Sequence, residues 1–397
     1  MRGTSAIVGV GESEYFRPGR AMEAGYTEFQ LACTAIKNAA EDAGIAVEDI
    51  DGFVSYAGDR NTPTRLATAL GVKETRYGAM SWDGGGNGVA STLATADAAL
   101  TAGYANYIVC YRGLAQGQFS RMGQARVSSG RARTAGVDAF RGPYGIIVPA
   151  HWYAMITKRY MYEHGIGQDA LMEISLASYG HAQHNPRAIR YGKGITDEDY
   201  RNSRWIVEPF HLFDCCQEND GSAAVIVTTA ERARDLPRKP AYIRAAAQSI
   251  DYRGAAGGAV GAGYADPDFP TAHFKRAASD LWSRAGIGPE DVQVAQFYEN
   301  FTGMTLIAIS EMGFSTPDKI EEWLKAGSIR WPDGELPVNT SGGNLAEAYI
   351  HGFELVNEAT RQIRGDSTCQ VKDVGYSLIV SGPGALPASV AVLSAQP

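Results

Sequence analysis

The chain has 397 residues, of which 45% are hydrophobic and 20% charged, and this composition is typical of a globular protein rather than of a disordered or fibrous one. Its formal charge of -8 argues against a general binder of nucleic acid, and no apolar run approaches the roughly 18 residues that a membrane span needs. The five cysteines lack the spacing of a disulfide framework and the N-terminus lacks the pattern of a secretory leader, so we expect a cytoplasmic protein with no membrane contact.

The first quarter of the chain predicts alternating strands and helices. Strands are predicted over Ala6–Gly11, Gly52–Tyr56 and Tyr107–Cys110. An amphipathic helix, Thr27–Ala43, lies between the first two strands and is ended by Gly44. A second helix follows the triplet Gly85-Gly86-Asn87. This alternation indicates an α/β protein.

The last third of the chain repeats this order. The segment Ala43–Ile50 recurs 242 residues later as Ala285–Val292, again between a predicted helix, here Thr271–Ala285, and a strand. The triplet Gly85-Gly86-Asn87 recurs 257 residues later as Gly342-Gly343-Asn344, again before a helix. Two similar offsets in the same order indicate a duplicated strand-helix-strand unit. We expect each half to contain its own sheet, with the two glycine triplets, called elbows below, near a shared axis.

An insertion separates the two halves. Arg112–Arg141 lacks apolar periodicity, whereas Pro149–Tyr162 and Asp169–Gln183 predict two helices of a cap over a ligand site. The chain is therefore divided into an N-terminal half of residues 1–111 plus 206–240, the inserted cap of residues 112–205, and a C-terminal half of residues 241–397.

Common catalytic motifs are missing from the sequence. Glu14 stands where a dinucleotide fingerprint needs its third glycine. His181 and His184 have no further ligand nearby in sequence and predict packing rather than a metal site. The adjacent Cys215 and Cys216 offer a nucleophile, but small buried residues are the simpler interpretation. We expect no metal and no nucleotide cofactor.

Three features together resemble the thiolase superfamily, in particular its sterol-carrier-protein-X-like branch. They are the duplicated halves, the run from Asp214 to Ala224, and Ser341-Gly342-Gly343. The resemblance spans nearly the whole chain. It implies the thiolase fold, in which two pseudo-duplicated βαβ halves pack as an αβαβα sandwich, here with an inserted cap.

The groups that thiolases use for acyl transfer are replaced in this sequence. At the first elbow, where the family has its nucleophilic cysteine, stands Gly84-Gly85-Gly86-Asn87, and the family's last cysteine corresponds to about Ile379. Tyr298 and Tyr349 occupy the positions of the family's two histidines, because Tyr298–Phe301 aligns with its H-D-C-F motif and Ser341–Ile350 with its S-G-G-x-x-x-x-G-H-P motif. Covalent thiolysis is therefore excluded.

The tyrosine pair resembles that of the lipid-transfer-protein-type aldolases of steroid catabolism. This resemblance implies retro-aldol cleavage of a 17-hydroxy steroid three-carbon side-chain CoA thioester to a 17-ketosteroid and propionyl-CoA, with coenzyme A as part of the substrate and no separate cofactor. Such cleavage needs a base for the alcohol, a stabilised enolate and an acid. We assign Tyr298 as base and Tyr349 as acid, and the reverse assignment stays open. The basic tyrosine needs either a lowered pKa or a proton relay.

Further residues are candidates for binding the substrate. Candidates for the thioester oxygen are Gly86, Gly343, Asn344 and His351. Candidates for the CoA phosphates are Lys158, Arg159, Arg187, Arg190 and Lys193. Candidate walls of an apolar steroid pocket are Trp152, Tyr153, Tyr160 and Tyr162. The ring system and side-chain length of the substrate stay open.

The resemblance also implies partners. It implies a homodimer, and with a small OB-fold, zinc-ribbon partner protein a heterotetramer. A non-catalytic acyl-CoA-binding subunit and an acyltransferase subunit of a thiolase-like complex are the alternative functions.

Overall fold

The computed structural model describes residues 3–81, 85–119, 121, 142–250, 270–384 and 386–397. Most of the stretch Arg112–Arg141, and Gly84 of the first elbow, lie outside the described residues. The strands are β1 (Ser5–Glu12), β2 (Gly52–Tyr56), β3 (Tyr77–Ser81), β4 (Tyr107–Ala115), β5 (Trp205–Val207), β6 (Phe210–His211), β7 (Asp220–Thr229), β8 (Ala241–Ser249), β9 (Val294–Phe297), β10 (Tyr376–Val380) and β11 (Ala388–Ser394). The helices are α1 (Arg20–Glu23), α2 (Glu28–Ala43), α3 (Pro63–Leu70), α4 (Val89–Thr101), α5 (Pro149–His164), α6 (Asp169–Ala182), α7 (Asp197–Asn202), α8 (Ala230–Ala233), α9 (Lys275–Ala285), α10 (Thr302–Glu311), α11 (Ile320–Lys325), α12 (Gly343–Ala346) and α13 (Glu354–Arg364).

Nine of these strands form one sheet in the order β3-β2-β4-β7-β1-β8-β11-β10-β9. The first five belong to the N-terminal half and the last four to the C-terminal half. The expectation of a separate sheet in each half is wrong, because β1 pairs with β8 through Ala6 opposite Tyr242 and Ile7 opposite Ala241. This short antiparallel pairing joins two half-sheets into one.

The helices complete a five-layer arrangement. Helix α2 packs on β1, β4 and β7, on the outer face of the first half-sheet, and α9 packs on β8 and β11 of the second. Helices α4 and α13 lie between the half-sheets, since α4 contacts β2 and β4 as well as β8 and β11, and α13 contacts β1 and β7 as well as β9 and β10. A helix that is covered on several sides needs few exposed polar positions. The predicted αβαβα sandwich of the thiolase fold is confirmed.

The two repeated helices differ at their starts. Helix α2 begins after Thr27, whose side chain forms a capping box with Gln30, and ends at Gly44 with a φ of 71°. Helix α9 begins at Lys275, four residues later than predicted. The Thr271 hydroxyl and the Phe274 amide donate hydrogen bonds of 2.5 and 2.8 Å to the carboxylate of Glu311. These bonds hold the segment outside the helix.

The described part of the insertion forms a cap that shares a core with the C-terminal half. Helices α5 and α6 pack on α10, and α6 also contacts α11 and α12. The predicted start of the insertion at residue 112 falls inside β4, because Arg112 to Ala115 continue the antiparallel pairing with β7. In the described ranges, no helix has the length and apolar character needed to cross a membrane.

Candidate active site

A cavity of about 900 Å³ lies between the cap and the strand ends of the two halves. Cavities of this size are typical of sites for sizeable organic ligands. Its walls come from the first elbow, helix α5 and the loops after β6 and β9. The residues that line it include Gly85, Gly86, Trp152, Tyr153, Arg190, Cys216, Tyr298, Tyr349 and His351.

The two predicted catalytic tyrosines meet in this cavity. Their hydroxyl oxygens are 2.6 Å apart, so one donates a hydrogen bond to the other, and either can be the donor. Tyr298 follows β9 and its amide donates to the carbonyl of Val380 at 3.0 Å. Tyr349 lies between α12 and α13, and its amide donates to the side-chain oxygen of Asn219 at 2.9 Å. The C-terminal half thus fixes the backbone of Tyr298, and Asn219 of the N-terminal half fixes that of Tyr349.

Two glycines leave room for the ring of Tyr298. A Cβ built on Gly86 would lie 1.9 Å from Cε2 of Tyr298, and a Cβ built on Gly352 would lie 2.3 Å from Cδ2. Carbon atoms in contact are about 3.5–4.0 Å apart. The structure therefore gives Gly86 a steric role beside the predicted role at the thioester oxygen, which stays a prediction.

The surroundings keep both tyrosines protonated. Burial raises the pKa of Tyr298 well above its usual value, and the nearby Tyr349 and Cys216 raise it further. Burial likewise raises the pKa of Tyr349 well above its usual value. A phenol that is taken out of water ionises less readily. Of the two predicted routes to a basic tyrosine, a lowered pKa is wrong for these surroundings, and the relay remains.

His351 is a neighbour of the pair. Its ring centroid is 5.7 Å from that of Tyr349, at an interplanar angle of 68°. Burial, and after it the charge of Arg112, lowers the pKa of His351 well below its usual value. The imidazole therefore stays neutral at ordinary pH.

The second elbow faces away from the cavity. Neither Gly343 nor Asn344 lines it. A Cβ on Gly343 would lie 2.2 Å from a carboxyl oxygen of Glu299, and the side-chain amide of Asn344 donates to the buried carboxyl of Glu354. The prediction that Gly343 and Asn344 hold the thioester oxygen is therefore wrong. Both residues are buried outside the cavity, where Gly343 leaves space for Glu299 and Asn344 binds Glu354.

Most of the predicted CoA-phosphate partners also lie elsewhere. Lys158 pairs with Glu208 at 2.6 Å and Arg159 pairs with a carboxylate one helical turn away. Arg187 pairs with Glu12 at 3.1 Å. Lys193 is exposed and does not line the cavity.

The structure brings other cations to the cavity. Arg190 is the predicted cation that lines it, and Arg17, Arg121 and Arg204 line it as well. Arg121 is paired with Glu218, whereas Arg17 and Arg204 are exposed at the mouth. Sequence reasoning missed these three because they come from segments far apart in the chain.

Two of the four aromatic residues that were predicted to form walls of the steroid pocket line the cavity. Trp152 and Tyr153 line the cavity. Tyr160 packs on His164 at 4.5 Å between ring centroids, and Tyr162 is 85% exposed. Tyr160 is two turns, about 10 Å, farther along α5 than Tyr153 on the same face, and Tyr162 is on the exposed face.

Two groups beside the tyrosines were not foreseen as part of the site. Cys216 packs against the hydrophobic cluster that contains both tyrosine rings, and burial raises the pKa of its thiol. Glu299, next to Tyr298 in sequence, is fully buried, and burial raises its pKa to about 7. Among the described residues, no group of three or more His, Cys, Asp or Glu side chains is placed to hold a metal ion.

Comparisons with known proteins identify the family of this chain. Residues 262–395 match the family described as thiolase C-terminal domain-like. The chain is 38% identical to a 17-hydroxy-3-oxo-4-pregnene-20-carboxyl-CoA lyase of Mycobacterium tuberculosis, over 99% of this chain and 100% of that protein. It is 36% identical to a steroid side-chain-cleaving aldolase of Thermomonospora curvata, over 100% of this chain and 99% of that protein.

Solved structures extend the match to the fold. The structure described as an Ltp2-ChsH2(DUF35) aldolase superposes with a TM-score of 0.88 at 34% identity, covering 99% of this chain and 98% of that chain. Human mitochondrial 3-ketoacyl-CoA thiolase superposes with a TM-score of 0.68 at 12% identity, covering 99% and 98%, which shows the fold alone. The chain therefore belongs to the steroid side-chain-cleaving aldolases, carbon–carbon lyases with the thiolase fold.

Proposed function

We propose that this protein cleaves a 17-hydroxy steroid three-carbon side-chain CoA thioester to a 17-ketosteroid and propionyl-CoA. The observation that carries the proposal is the contact of 2.6 Å between the hydroxyls of Tyr298 and Tyr349 at the wall of a large cavity. The names of two relatives that match the chain over nearly its full length support the substrate class.

The mechanism moves one proton through two phenols. Tyr298 accepts the proton of the 17-hydroxyl and passes its own proton to Tyr349, which gives its proton to the side-chain α-carbon. The electron pair of the O–H bond forms the keto group, the bond between ring carbon 17 and the α-carbon breaks, and its electron pair forms the thioester enolate. Protonation of that enolate yields propionyl-CoA.

This relay fits two buried phenols that stay protonated. The proton that passes between the two phenols crosses a hydrogen bond of 2.6 Å, within the range of about 2.6–3.2 Å that proton transfer requires. Neither tyrosine has to exist as a phenolate before the reaction begins, which agrees with the raised pKa of both. The same chain of hydroxyls works in the opposite sense if the substrate alcohol meets Tyr349 instead.

The cavity offers separate surroundings for the two ends of the substrate. We assign the steroid rings to the aromatic wall that includes Trp152 and Tyr153, and the CoA phosphates to Arg17, Arg190 and Arg204 at the cavity. Guanidinium groups bind phosphates with two parallel hydrogen bonds. Coenzyme A then enters as part of the substrate, and no separate cofactor is proposed.

We also propose a homodimer that forms along β3. This strand is one of the two edges of the sheet, the one in the N-terminal half. Met80 on it is 40% exposed, and Tyr77 stacks on the exposed Tyr104 at 6.0 Å between centroids. An exposed apolar strand edge is a template for pairing with a second copy. We further propose that a small OB-fold, zinc-ribbon partner completes a heterotetramer, and the similar structure described as an Ltp2-ChsH2(DUF35) aldolase supports a complex with a second protein. We propose a cytoplasmic location, because the five cysteines are free and thiols stay reduced in that compartment.

Product analysis tests the proposed function. The purified chain, with and without the OB-fold partner, is mixed with a 17-hydroxy steroid side-chain CoA thioester, and the products are identified by mass spectrometry. Propionyl-CoA and 17-ketosteroid are expected, and a variant with both Tyr298→Phe and Tyr349→Phe should bind the thioester without releasing them. A labelled acyl group left on the protein would favour an acyltransferase, and binding without turnover in the wild type would favour an acyl-CoA-binding subunit.

A further inference from the structure

His351 lies in the cavity wall with a backbone that residues other than glycine seldom adopt. Its φ of 57° is in the left-handed region, and such residues concentrate at functional sites. Tyr56 holds it there in two ways: the rings stack at 6.1 Å between centroids, and the Tyr56 hydroxyl donates a hydrogen bond of 2.8 Å to the carbonyl oxygen of His351. His351 is 6% exposed. The fold therefore fixes this imidazole beside the site.

The two ring nitrogens of His351 have different surroundings. Nδ1 is buried and has no hydrogen-bond partner. Nε2 is on the side of the first elbow, because a Cβ built on Gly85 would lie 3.1 Å from it, and both residues line the cavity. In protein interiors an orphaned N–H donor is rarer than an unpaired acceptor. The favoured tautomer therefore has its hydrogen on Nε2, which places an N–H donor at the cavity.

The charge of Arg112 disfavours a second proton on this ring. Arg112 is buried, lies over the ring of Tyr56 at 5.3 Å, and pairs with Asp59 at 3.4 Å. Together with burial, this guanidinium lowers the pKa of His351 well below its usual value. A neutral imidazole is suited to polarise a carbonyl by donating a hydrogen bond, because it does not give the proton away.

Among the elbow residues, Gly86 keeps its predicted role at the thioester oxygen, whereas Gly85 and the second elbow offer no donor there. The amide of Gly85 donates to the side-chain oxygen of Asn87 at 2.8 Å, so it is not free for a ligand, and the second elbow does not line the cavity. We propose that His351 is a catalytic residue whose neutral imidazole donates a hydrogen bond from Nε2 to the thioester oxygen. This inference rests on the proposed function and adds to it the group that stabilises the enolate.

The proposed step is a hydrogen bond and not a proton transfer. As the carbon–carbon bond breaks, its electron pair moves onto the thioester oxygen, and the Nε2–H of His351 stabilises the negative charge there. When the tyrosine relay protonates the α-carbon, the electron pair returns and the thioester carbonyl forms again. His351 ends the cycle in the protonation state in which it began.

Substitutions of His351 distinguish a role as hydrogen-bond donor from a role in holding the left-handed backbone conformation. In His351→Gln the side-chain amide nitrogen reaches about as far as Nε2, whereas in His351→Asn it reaches only about as far as Nδ1. Asparagine, however, tolerates the left-handed region better than glutamine. A donor role therefore ranks glutamine above asparagine, and a purely conformational role ranks them in the reverse order. His351→Phe keeps the stacking on Tyr56 and removes the donor.

The first readout is the infrared carbonyl band of bound propionyl-CoA, isolated by a ¹³C label in the thioester and recorded on the full-length chain with its partner. We expect the band at lower frequency in the wild type and His351→Gln than in His351→Phe. The second readout is steroid cleavage, in which loss of one such donor lowers kcat by about 10²–10³ with little change in KM.

The outcomes distinguish the two proposals. Equal carbonyl frequencies and equal kcat in the wild type and His351→Phe, or a higher kcat in His351→Asn than in His351→Gln, overturn the assignment of His351 alone. Absence of any cleavage by the wild type, or of any binding of propionyl-CoA, overturns the proposed function and with it the premise of this inference.

Discussion

Replacing Gly86 by alanine tests whether the first elbow exists to admit the ring of Tyr298. The new methyl carbon would lie 1.9 Å from Cε2 and 2.4 Å from Cζ of that ring. Since carbon contacts need about 3.5–4.0 Å, the ring or the elbow must move by roughly 1.6–2.1 Å. The backbone of Gly86 is not left-handed, so the ring is the main obstacle to the methyl group.

The size of the effect follows from this displacement. An added methyl group in a packed interior costs about 1–3 kcal/mol of unfolding free energy. A shift of the ring by more than about 1 Å also breaks the hydroxyl contact of 2.6 Å, and a misplacement of that size costs about 10²-fold in turnover. We expect both losses in Gly86→Ala.

Denaturant unfolding and steroid cleavage measure the two effects, with Gly180→Ala as matched control. Gly180 is on the exposed face of α6, and a Cβ there would meet nothing within 4 Å, so this control should keep its turnover and gain up to about 1 kcal/mol. In a Tyr298→Leu background the cost of Gly86→Ala should shrink to less than about 0.5 kcal/mol, since the clashing ring is gone. The steric argument would be refuted if Gly86→Ala had the same free energy of unfolding and the same turnover as Gly180→Ala.

Three further predictions concern the same site. Tyr298→Phe and Tyr349→Phe should each lower kcat by about 10²–10⁴, and the double variant should be no slower than the worse single one, because a relay fails as a unit; multiplicative losses would contradict the relay. Since burial raises the pKa of both tyrosines, the pH–rate profile should show no tenfold rise per unit between about pH 7 and 9, and such a rise would indicate a phenolate base. Burial raises the pKa of Glu299 to about 7, above the unfolded value of about 4.3, so its contribution to stability is lost as the pH rises from about 4.3 to 7. Glu299→Gln should therefore stabilise the protein more at pH 8 than at pH 5, by roughly 2–3 kcal/mol in denaturant unfolding, and equal effects at both pH values would show that the carboxyl is not buried as described.

Local signals in the sequence predicted the elements that depend on local contacts. The capping box at Thr27 and the glycine stop at Gly44 define α2, and both are visible within a few residues of the helix ends. The two tyrosines were located by the motifs around them, and the structure brings their hydroxyls together. A motif carries this information because it fixes the short turn that aims each ring.

Contacts between distant segments set the remaining features, and the sequence does not display them. The start of α9 is moved by Glu311, whose carboxylate accepts the Phe274 amide 37 residues away. Lys158 pairs with Glu208, which is 50 residues away along the chain, and does not line the cavity. The ion pair of Arg159 with Glu163 is different, because their i,i+4 spacing on a helix is a readable signal.

The two elbows show how a duplication acquires unequal parts. In sequence they are the same triplet, but a Cβ at Gly86 would strike the ring of Tyr298 while a Cβ at Gly343 would strike the carboxyl of Glu299. Tyr298 and Glu299 are adjacent on one strand end and point to opposite sides, so each elbow glycine clears space for one of them. Gly86 of the first elbow therefore leaves space for the reacting ring of Tyr298 at the cavity, and Gly343 of the second leaves space for the buried carboxyl of Glu299 outside it. A site that needs two neutral phenols in contact benefits from this division, since the carboxyl of Glu299 and the ring of Tyr298 are given separate space by different glycines.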